Sequence, residues 1–492
     1  MNNHLTIDNL LKIIDKNRIN DYPKWLQIAQ VLFNVDSSLF EIFDNFSKYS
    51  DKYDTSECKK IWNNLVPTGY TINTLRELAE IDNPVEYNYL LGQYMHTLIN
   101  DMHDYTHDDI SKLAFELYKH KYRCTSIQKN IWYEFKDHRW INIDGGYTLL
   151  LKLSDEISKY FLLTATSFYE QSKTCAEAGD RYTSDVYIDK AKKILKISQK
   201  LKNVSFQNKI MSLCCYKFFD ISKNFEHNLD NYTNLIGFTN GVFDLNHNYF
   251  RQGLSEDYIS LNTNYDYKIF TIDSSEVLEV NNFFDQIMTN SESKLQLLLF
   301  LSSCLQGNYY QKYFDIWLGR SGSEGKSSVI YFMHQILGEY MTDLNMHSLD
   351  NILYSDGVYA TPEIVQLKGK RLVCVNESLN SDDTISSDLI KKLLKIKNVY
   401  GRQLFQNKNT FIAQFNFVMP CNKLRFDKNQ NYEDICGLTI SPFESKFVID
   451  PGNQKEFLID QYIIEKLKIN KQAFMWFLLN KYYPLFKINQ AQ

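Results

Sequence analysis

Residues 319–327 read GRSGSEGKS and separate two segments of different periodicity. The preceding residues, 313–318, form an apolar run of strand length, and those that follow repeat apolar side chains at helical spacing as far as Leu337. A strand, a glycine-rich loop and a helix in this order are typical of a phosphate-binding loop, whose backbone N–H groups point into one concavity at the helix N-terminus. The stretch therefore predicts a site for a nucleoside triphosphate at the end of a buried strand.

Two residues at the end of this loop suit a triphosphate. The ammonium of Lys326 would place a positive charge on the β- and γ-phosphates, and the hydroxyl of Ser327 is placed to hold Mg²⁺. The usual spacing has a glycine where this chain has Arg320, whereas the Gly-Lys-Ser end of the loop is intact. The residues expected to contact the nucleotide are Gly319, Gly322, Ser323, Glu324, Gly325, Lys326, Ser327 and Ser328.

Composition bounds the number of domains and the kind of partner. The 492 residues are too many for a single core, and the usual domain size suggests roughly three domains. The formal net charge of −5 gives no global attraction to nucleic acid, so any contact with DNA must come from a local patch or a channel between subunits. Nine cysteines without a Cys-x-x-Cys pair predict reduced, buried thiols rather than disulfides or a zinc site.

The chain shows no membrane or export signal. Its most apolar stretch, residues 295–305, is interrupted by Gln296 and two serines and is too short to span a bilayer. The first nine residues lack the basic-then-apolar pattern of a signal peptide. We therefore expect a soluble, intracellular protein with no membrane partner.

Periodicity divides the chain into four segments. Residues 1–85 predict a small helical domain, and residues 86–270 predict a mixed α+β domain. In the second segment, Asn240-Gly241 between two apolar runs predicts the turn of a β-hairpin that opens a β-meander. Residues 271–450 predict an α/β core with a mostly parallel central sheet, and residues 451–492 predict a C-terminal helical segment. The expected fold class is multidomain, α and α/β.

Two further strands are predicted to end in polar side chains. Residues 370–377 run from a basic start through an apolar stretch to Glu377, which is typical of a buried parallel strand that carries a carboxylate at its C-terminal end. Glu377 would polarise the attacking water and help to hold Mg²⁺, although a strand that ends in Glu by chance gives the same pattern. Residues 411–419 form another apolar strand before Asn422, whose amide would sense the γ-phosphate; an amide that only caps a turn is the alternative.

A basic segment between these two strands is the candidate for contact with DNA. Residues 399–405 and 411–417 are predicted to pair as a hairpin with its tip at residues 406–409. A basic tip that projects from a nucleotide-binding core would grip a nucleic-acid backbone, and an ordinary solvated turn explains the pattern equally well. The candidate DNA-binding residues are Lys397, Arg402 and Lys408.

Several of these patterns resemble one protein family. Residues 238–245 (FTNGVFDL), with residues 257–259 and 265–267, resemble the domain upstream of the helicase core in poxvirus-type primase-helicases of large DNA viruses. The helical segment from Trp25 to Leu75 resembles the domain that follows the catalytic domain of many viral and phage primases. The loop, the strand to Glu377 and the strand before Asn422 resemble, in this order, superfamily 3 helicases of the AAA+ class.

The resemblance implies an architecture and an activity. Residues 1–85 would be a primase-associated linker, residues 86–270 a pre-helicase domain and residues 271–450 the AAA+ core. A homo-hexamer would bind ATP and Mg²⁺ at its subunit interfaces and single-stranded DNA in its channel, and hydrolysis would unwind replication forks in the host cytoplasm. No primase pattern precedes the helical segment, so the priming activity is expected either on another chain or to have been lost. In the first case, a separate primase and a polymerase are expected partners. By motif, the catalytic residues are Lys326, Glu377 and Asn422, with Ser327 and Glu377 at the metal.

One departure from the family leaves the activity open. The family usually places one or two arginines just before the Pro-Phe that closes the core, and residues 434–443 contain none. Such an arginine finger is worth roughly 10³- to 10⁵-fold in hydrolysis rate. The cations that would replace it are Arg425, Lys423 and Lys446. The sequence thus predicts an ATP-dependent replicative DNA helicase, with a ring-forming loader or structural subunit that hydrolyses ATP weakly as the alternative.

Overall fold

The computed structural model of the protein describes residues 5–66, 70–222, 224–307, 312–320, 322–346, 348–354, 361–376, 386–401, 409–423 and 435–491. The chain has a mixed α/β fold and divides into two compact units. The first unit contains Met1–Lys136, Trp140–Glu226 and Leu254–Asp257, and the second contains Asp137–Arg139, His227–Gly253 and Tyr258–Gln492.

The first unit begins with short amphipathic helices, as the sequence predicts. Their apolar faces bury Trp25, Phe43 and Trp62, whose rings pack in series with centroids 5.1 and 5.4 Å apart. Asp54 caps the fourth helix by accepting from the N–H groups of Ser56 and Glu57, which satisfies donors that the first turn leaves unpaired. These helices are α1 (Ile7–Ile13), α2 (Tyr22–Val35), α3 (Phe40–Ser47), α4 (Thr55–Asn63), α5 (Ile72–Asp82) and α6 (Pro84–Asn100).

A second core in the same unit surrounds a three-stranded sheet and a helical hairpin. In the hairpin, the Ser172 and Ser184 hydroxyls lie 3.0 Å apart and the Ser198 hydroxyl donates to the Ser158 carbonyl, so the two long helices run antiparallel. The elements are α7 (His107–Tyr118), β1 (Tyr122–Ser126), β2 (Ile131–Lys136), β3 (Arg139–Asp144), α8 (Tyr147–Lys152), α9 (Ser158–Glu177), α10 (Arg181–Lys200), α11 (Val204–Lys217) and α12 (Phe225–Asn228).

The second unit contains the predicted β-meander, with β4 (Leu235–Phe238), β5 (Gly241–Asp244) and β6 (Tyr249–Arg251) in antiparallel order. The predicted turn is wrong by one residue, because Phe238 pairs with Gly241 and the two turn residues are Thr239 and Asn240. A Cβ on Gly241 would lie 2.4 Å from the carbonyl oxygen of Arg251. The glycine is therefore required by the close approach of the neighbouring strand rather than by the turn.

The largest sheet of this unit has five parallel strands in the order β13-β7-β12-β9-β8. Phe314 and Ile316 point to one face of the sheet and Trp317 to the other, so helices cover two apolar faces. The elements up to its last strand are α13 (Ser275–Ile287), α14 (Ser291–Ser303), β7 (Phe314–Leu318), α15 (Lys326–Leu337), β8 (Met341–Asn345), α16 (Ser348–Tyr354), α17 (Pro362–Val365), β9 (Leu372–Asn376), α18 (Ser387–Lys395), β10 (Asn398–Gly401), β11 (Asn409–Ile412), β12 (Asn416–Cys421) and β13 (Leu438–Pro442).

The strand predicted for residues 411–419 is in fact two strands that belong to different sheets. The break falls at Gln414, whose amide accepts from Arg371 and donates to the carbonyl of Asp230. The predicted hairpin register is also wrong, because Val399 pairs with Phe411. Of the predicted tip, residues 406–408 lie outside the described part of the chain, and Asn409 is the first residue of β11. Buried polar contacts from distant parts of the sequence therefore override the local apolar pattern.

The C-terminal segment is helical except at its start. There β14 (Lys446–Val448) and β15 (Glu456–Leu458) form a short parallel pair, which corrects the purely helical prediction from residue 451 onward. The helices that follow are α19 (Ile463–Ile469), α20 (Lys471–Phe477) and α21 (Tyr483–Ala491). Among the described residues, no helix is long and apolar enough to cross a membrane.

Candidate nucleotide-binding site

The glycine-rich loop and the end of β12 meet at the C-terminal edge of the five-stranded sheet. Leu318, the last residue of β7, is the Cα partner of Cys421, and the N–H of Gly319 donates to the Cys421 carbonyl over 3.0 Å. On the other side, the N–H of Phe443 donates to the Leu318 carbonyl over 2.8 Å. Because parallel strands end at the same edge, Asn422 leaves β12 beside the start of the loop.

Glycines give the loop its shape. Gly322 and Gly325 have φ values of 82° and 85°, in the left-handed region that residues with a Cβ adopt at a cost. Gly325 is the N-cap of α15, and its carbonyl accepts the first helical hydrogen bond, from Val329, over 3.1 Å. The carbonyl of Ser323 accepts from the N–H of Phe447 over 3.0 Å, which ties the loop to β14. The first turn of α15 is thereby fixed at the sheet edge.

Lys326 begins the helix and turns its ammonium back toward the strands. The Nζ atom lies 3.0 Å from Asn422 Oδ1 and 2.9 Å from Glu324 Oε2, and only 7% of the residue is exposed. The structure thus brings together two of the three predicted catalytic residues, Lys326 and Asn422. The third, Glu377, follows β9 and lies outside the described residues. The roles assigned to the three side chains remain predictions.

The carboxylate of Glu324 is the centre of a set of hydrogen-bond donors. Its Oε1 atom accepts from the N–H of Arg320 at 2.6 Å and from the N–H of Gly322 at 3.1 Å, while Oε2 accepts from Lys326. Two loop amides and a buried ammonium are donors of the kind that bind phosphate oxygens. The residues present therefore fit an anionic group such as a nucleotide phosphate.

Gly319 is required by the same arrangement. A Cβ at this position would lie 2.0 Å from Lys326 Nζ and 2.7 Å from the Glu324 carboxyl carbon. A side chain at residue 319 would therefore push the ammonium and the carboxylate out of the loop. Glu324 is one of the predicted nucleotide contacts, but its acceptance of hydrogen bonds from the loop amides is not part of that prediction. The sequence signal for this contact is the acidic residue Glu324 two positions before Lys326.

The predicted metal ligands are only partly described. Ser327 lies in the first turn of α15 and is exposed, whereas Glu377 is outside the described residues. Within the described ranges, no cluster of three or more His, Cys, Asp or Glu side chains is arranged to hold a metal ion. The role of Ser327 at a metal ion remains a prediction.

The structure describes one of the three candidate DNA-binding residues, Lys397. Lys397 is exposed and lies just before β10. Burial, and to a smaller extent the charge of Lys397, lowers the pKa of Lys312 to about 8. The ammonium of Lys312 donates to the carbonyl of Ile396 over 2.6 Å, next to Lys397. Arg402 and Lys408 lie outside the described residues.

Two of the three cations suggested in place of the arginine finger are described. Lys423 is exposed and directly follows Asn422, so it lies at the same edge of the sheet as the loop. Lys446 is exposed on β14, with its ammonium 3.9 Å from Glu456. Arg425 lies outside the described residues.

Two families match this chain. Residues 7–79 match the family described as Primase C terminal 2 (PriCT-2), a range that runs from the start of α1 into α5. Residues 111–291 match the family described as D5 N terminal like, which ends shortly before the glycine-rich loop. The glycine-rich loop and the five-stranded sheet lie beyond both matched ranges.

Curated relatives match almost the whole chain. The candidate helicase L207/L206 of Acanthamoeba polyphaga mimivirus is 32% identical over 97% of this chain and 50% of its own length. The candidate helicase 121R of Invertebrate iridescent virus 3 is 26% identical over 96% of this chain and 55% of its own length. The chain therefore spans about half the length of the curated relatives it matches.

A solved structure also resembles part of the chain. The apo A form of the NrS-1 C terminal region aligns with a TM-score of 0.33 and 15% identity over 45% of this chain and 50% of that one.

The two matched families, in this order along the chain, and the viral relatives together identify the chain as a member of the D5-like family of viral primase-helicases.

Proposed function

We propose that this chain is an ATP-dependent replicative DNA helicase that hydrolyses ATP to move along single-stranded DNA and unwind duplex. One observation carries the proposal: two loop amides and the Lys326 ammonium converge on the Glu324 carboxylate. The same ammonium lies 3.0 Å from Asn422 Oδ1. A site that concentrates donors on one anion at the end of parallel strands suits the phosphates of a nucleotide. The helicase names of the viral relatives support the choice of activity.

In this proposal the core is an AAA+ module of the superfamily 3 type, and each residue has a defined task. ATP bound with Mg²⁺ supplies the free energy of phosphoryl transfer to water. Lys326 and the loop amides bind the phosphates, Ser327 holds the cation and Asn422 detects whether the γ-phosphate is present. Glu377 is our candidate for activating water. The proposed assembly is a homo-hexamer in which Lys397, Arg402 and Lys408 bind DNA. A separate primase and polymerase are its proposed partners.

A second function is favoured by the sequence of β13. Neither β13 (Leu438–Pro442) nor the residues just before it contain an arginine. The arginine that usually acts across a subunit interface is therefore missing from this position. A ring that binds nucleotide and DNA but hydrolyses ATP slowly would act as a loader or a structural subunit. Lys423 and Lys446 would then have no catalytic role.

The test compares ATP turnover by the wild type and Lys326→Ala, with and without single-stranded DNA. In a helicase, DNA stimulates turnover and Lys326→Ala abolishes both ATP binding and turnover. In a structural ring, the wild type binds ATP and DNA but shows little turnover, and Lys326→Ala still abolishes ATP binding. Turnover and ATP binding that are unchanged in Lys326→Ala would contradict both functions. Lys59→Ala, an exposed lysine on α4 in the first unit, is the matched control.

A further inference from the structure

The glycine-rich loop already holds an anion, and that anion is part of the chain. The Glu324 side chain turns back into the loop, where its two oxygens accept from the N–H groups of Arg320 and Gly322 and from the ammonium of Lys326. Only 4% of Glu324 is exposed, so its charge is compensated by these donors rather than by water. A carboxylate thus occupies the position in which a loop of this type offers its donors to phosphate.

A nucleotide phosphate would need the same donors. Each backbone N–H donates one strong hydrogen bond, so the amides of Arg320 and Gly322 serve the carboxylate or a phosphate oxygen but not both. A polyphosphate placed beside a buried carboxylate would also be repelled by it, because the two charges have the same sign in a water-poor site. Glu324 therefore has to leave the loop before a phosphate enters.

The loop can release this side chain without unfolding its neighbours. The left-handed backbone at Gly322 and Gly325 lies on either side of Glu324, and glycine adopts many other conformations at little cost. Two backbone hydrogen bonds fix the ends of the loop, from the Gly319 N–H to the Cys421 carbonyl and from the Val329 N–H to the Gly325 carbonyl. Neither involves the Glu324 side chain. The carboxylate is therefore the exchangeable partner in the site.

We propose that Glu324 is the residue that sets the affinity of the loop for nucleotide, by acting as an intramolecular competitor for the phosphate site. The inference rests on the proposed function, since it assumes that the loop binds nucleotide. It assigns Glu324 a role opposite to that of a contact residue. As a competitor, Glu324 lowers affinity, whereas a side chain that only holds Lys326 in place would raise it.

The experiment measures the dissociation constants of Mg²⁺-ATP and of inorganic tripolyphosphate for the wild type, Glu324→Gln and Glu324→Asn. Glutamine keeps the size of the side chain and removes its charge. Asparagine removes the charge too, and its shorter side chain does not reach the loop amides and the Lys326 ammonium. Both variants are expected to bind each ligand at least about tenfold more tightly, because the donors are no longer engaged by a carboxylate. Glu292→Gln, which removes one exposed charge from the first turn of α14, controls for net charge and is expected to bind like the wild type.

The outcomes separate this inference from the proposed function. If Lys326→Ala abolishes binding while both Glu324 variants bind like the wild type or more weakly, the nucleotide site stands and the competitor role is overturned. If neither the wild type nor any variant binds either ligand, the proposed function itself fails. Thermal unfolding is recorded for each variant without and with ATP. The shift in Tm on adding ATP is expected to be larger for the Glu324 variants than for the wild type.

Discussion

Lys326 Nζ lies 3.0 Å from Asn422 Oδ1, although the two residues are 96 positions apart in the sequence. The lysine is the first residue of α15 and the asparagine directly follows β12, so the contact joins the loop after β7 to the end of the neighbouring strand. A ligand phosphate that binds Lys326 therefore lies beside an amide from a different strand. In the proposed function, this places Asn422, the proposed sensor of the γ-phosphate, beside the residue that binds the phosphates.

Asn422→Ala is expected to separate hydrolysis from binding. Loss of one positioned polar group from a reacting centre should lower ATP turnover on the order of 10- to 100-fold, with the dissociation constant for ATP changed less than about threefold. The measurements are steady-state turnover with single-stranded DNA and equilibrium binding of ATP. Asn208→Ala, an exposed amide on α11, is the control. An equal loss of binding and turnover would instead make Asn422 a simple anchor for Lys326.

A pair of glycine substitutions should have opposite effects on stability. Gly325→Ala puts a Cβ on a residue with a φ of 85° and 2.2 Å from the Ile287 side chain, so it should lower the free energy of unfolding by about 1–2 kcal/mol and weaken ATP binding. Gly92→Ala lies inside α6, where a Cβ meets no atom within 4 Å, and should raise stability by roughly 0.5–1 kcal/mol. Chemical denaturation measures both. Equal effects at the two positions would contradict the loop geometry.

The sequence predicts the loop and misses the contacts around it for a physical reason. The positions of Gly319, Gly325 and Lys326 are local requirements of a strand, a turn and a helix, and they can be read from neighbouring residues. The break at Gln414 depends on Arg371 and Asp230, which lie 43 and 184 positions away, so no local pattern shows it. The inward turn of Glu324 is local, but periodicity does not report which side chains bend back onto their own backbone.

Arg371 should be a major contributor to the stability of the second unit. It is 2% exposed at the start of β9, and its guanidinium donates to Gln414 Oε1 at 2.6 Å and to the carbonyls of Tyr232 and Leu235 at 3.2 and 3.3 Å. Arg371→Met would leave these acceptors, two of them in buried hydrogen bonds, without their donor, at a cost on the order of 3 kcal/mol. Thermal unfolding should show a fall in Tm of several degrees. Arg181→Met, at the exposed start of α10, should leave Tm nearly unchanged, and equal shifts would refute this assignment.

Asp315 should make the stability of the protein fall as pH rises. The carboxyl group is 1% exposed on β7, where it accepts from Trp317 Nε1 and from the Ser441 hydroxyl, each at 2.9 Å. Burial, the larger effect, raises its pKa from 3.8 to about 7, while these two hydrogen bonds lower it. The folded state thus binds a proton on Asp315 more tightly than the unfolded state does. This contribution to the free energy of unfolding is fully present below about pH 4 and is lost as pH rises toward 7. Each unit of difference between the folded and unfolded pKa corresponds to about 1.4 kcal/mol.

Asp315→Asn removes this titration while it keeps the size of the side chain. Its Tm should be close to that of the wild type at pH 4.5 and should exceed it by several degrees at pH 8, where the wild type carries a buried charge. Thermal unfolding at four or five pH values between these limits gives the difference directly. Asp273→Asn, an exposed carboxylate just before α13, should show no such divergence. A difference between Asp315→Asn and the wild type that stays constant across the range would mean that Asp315 is already ionised in the folded protein at pH 4.5.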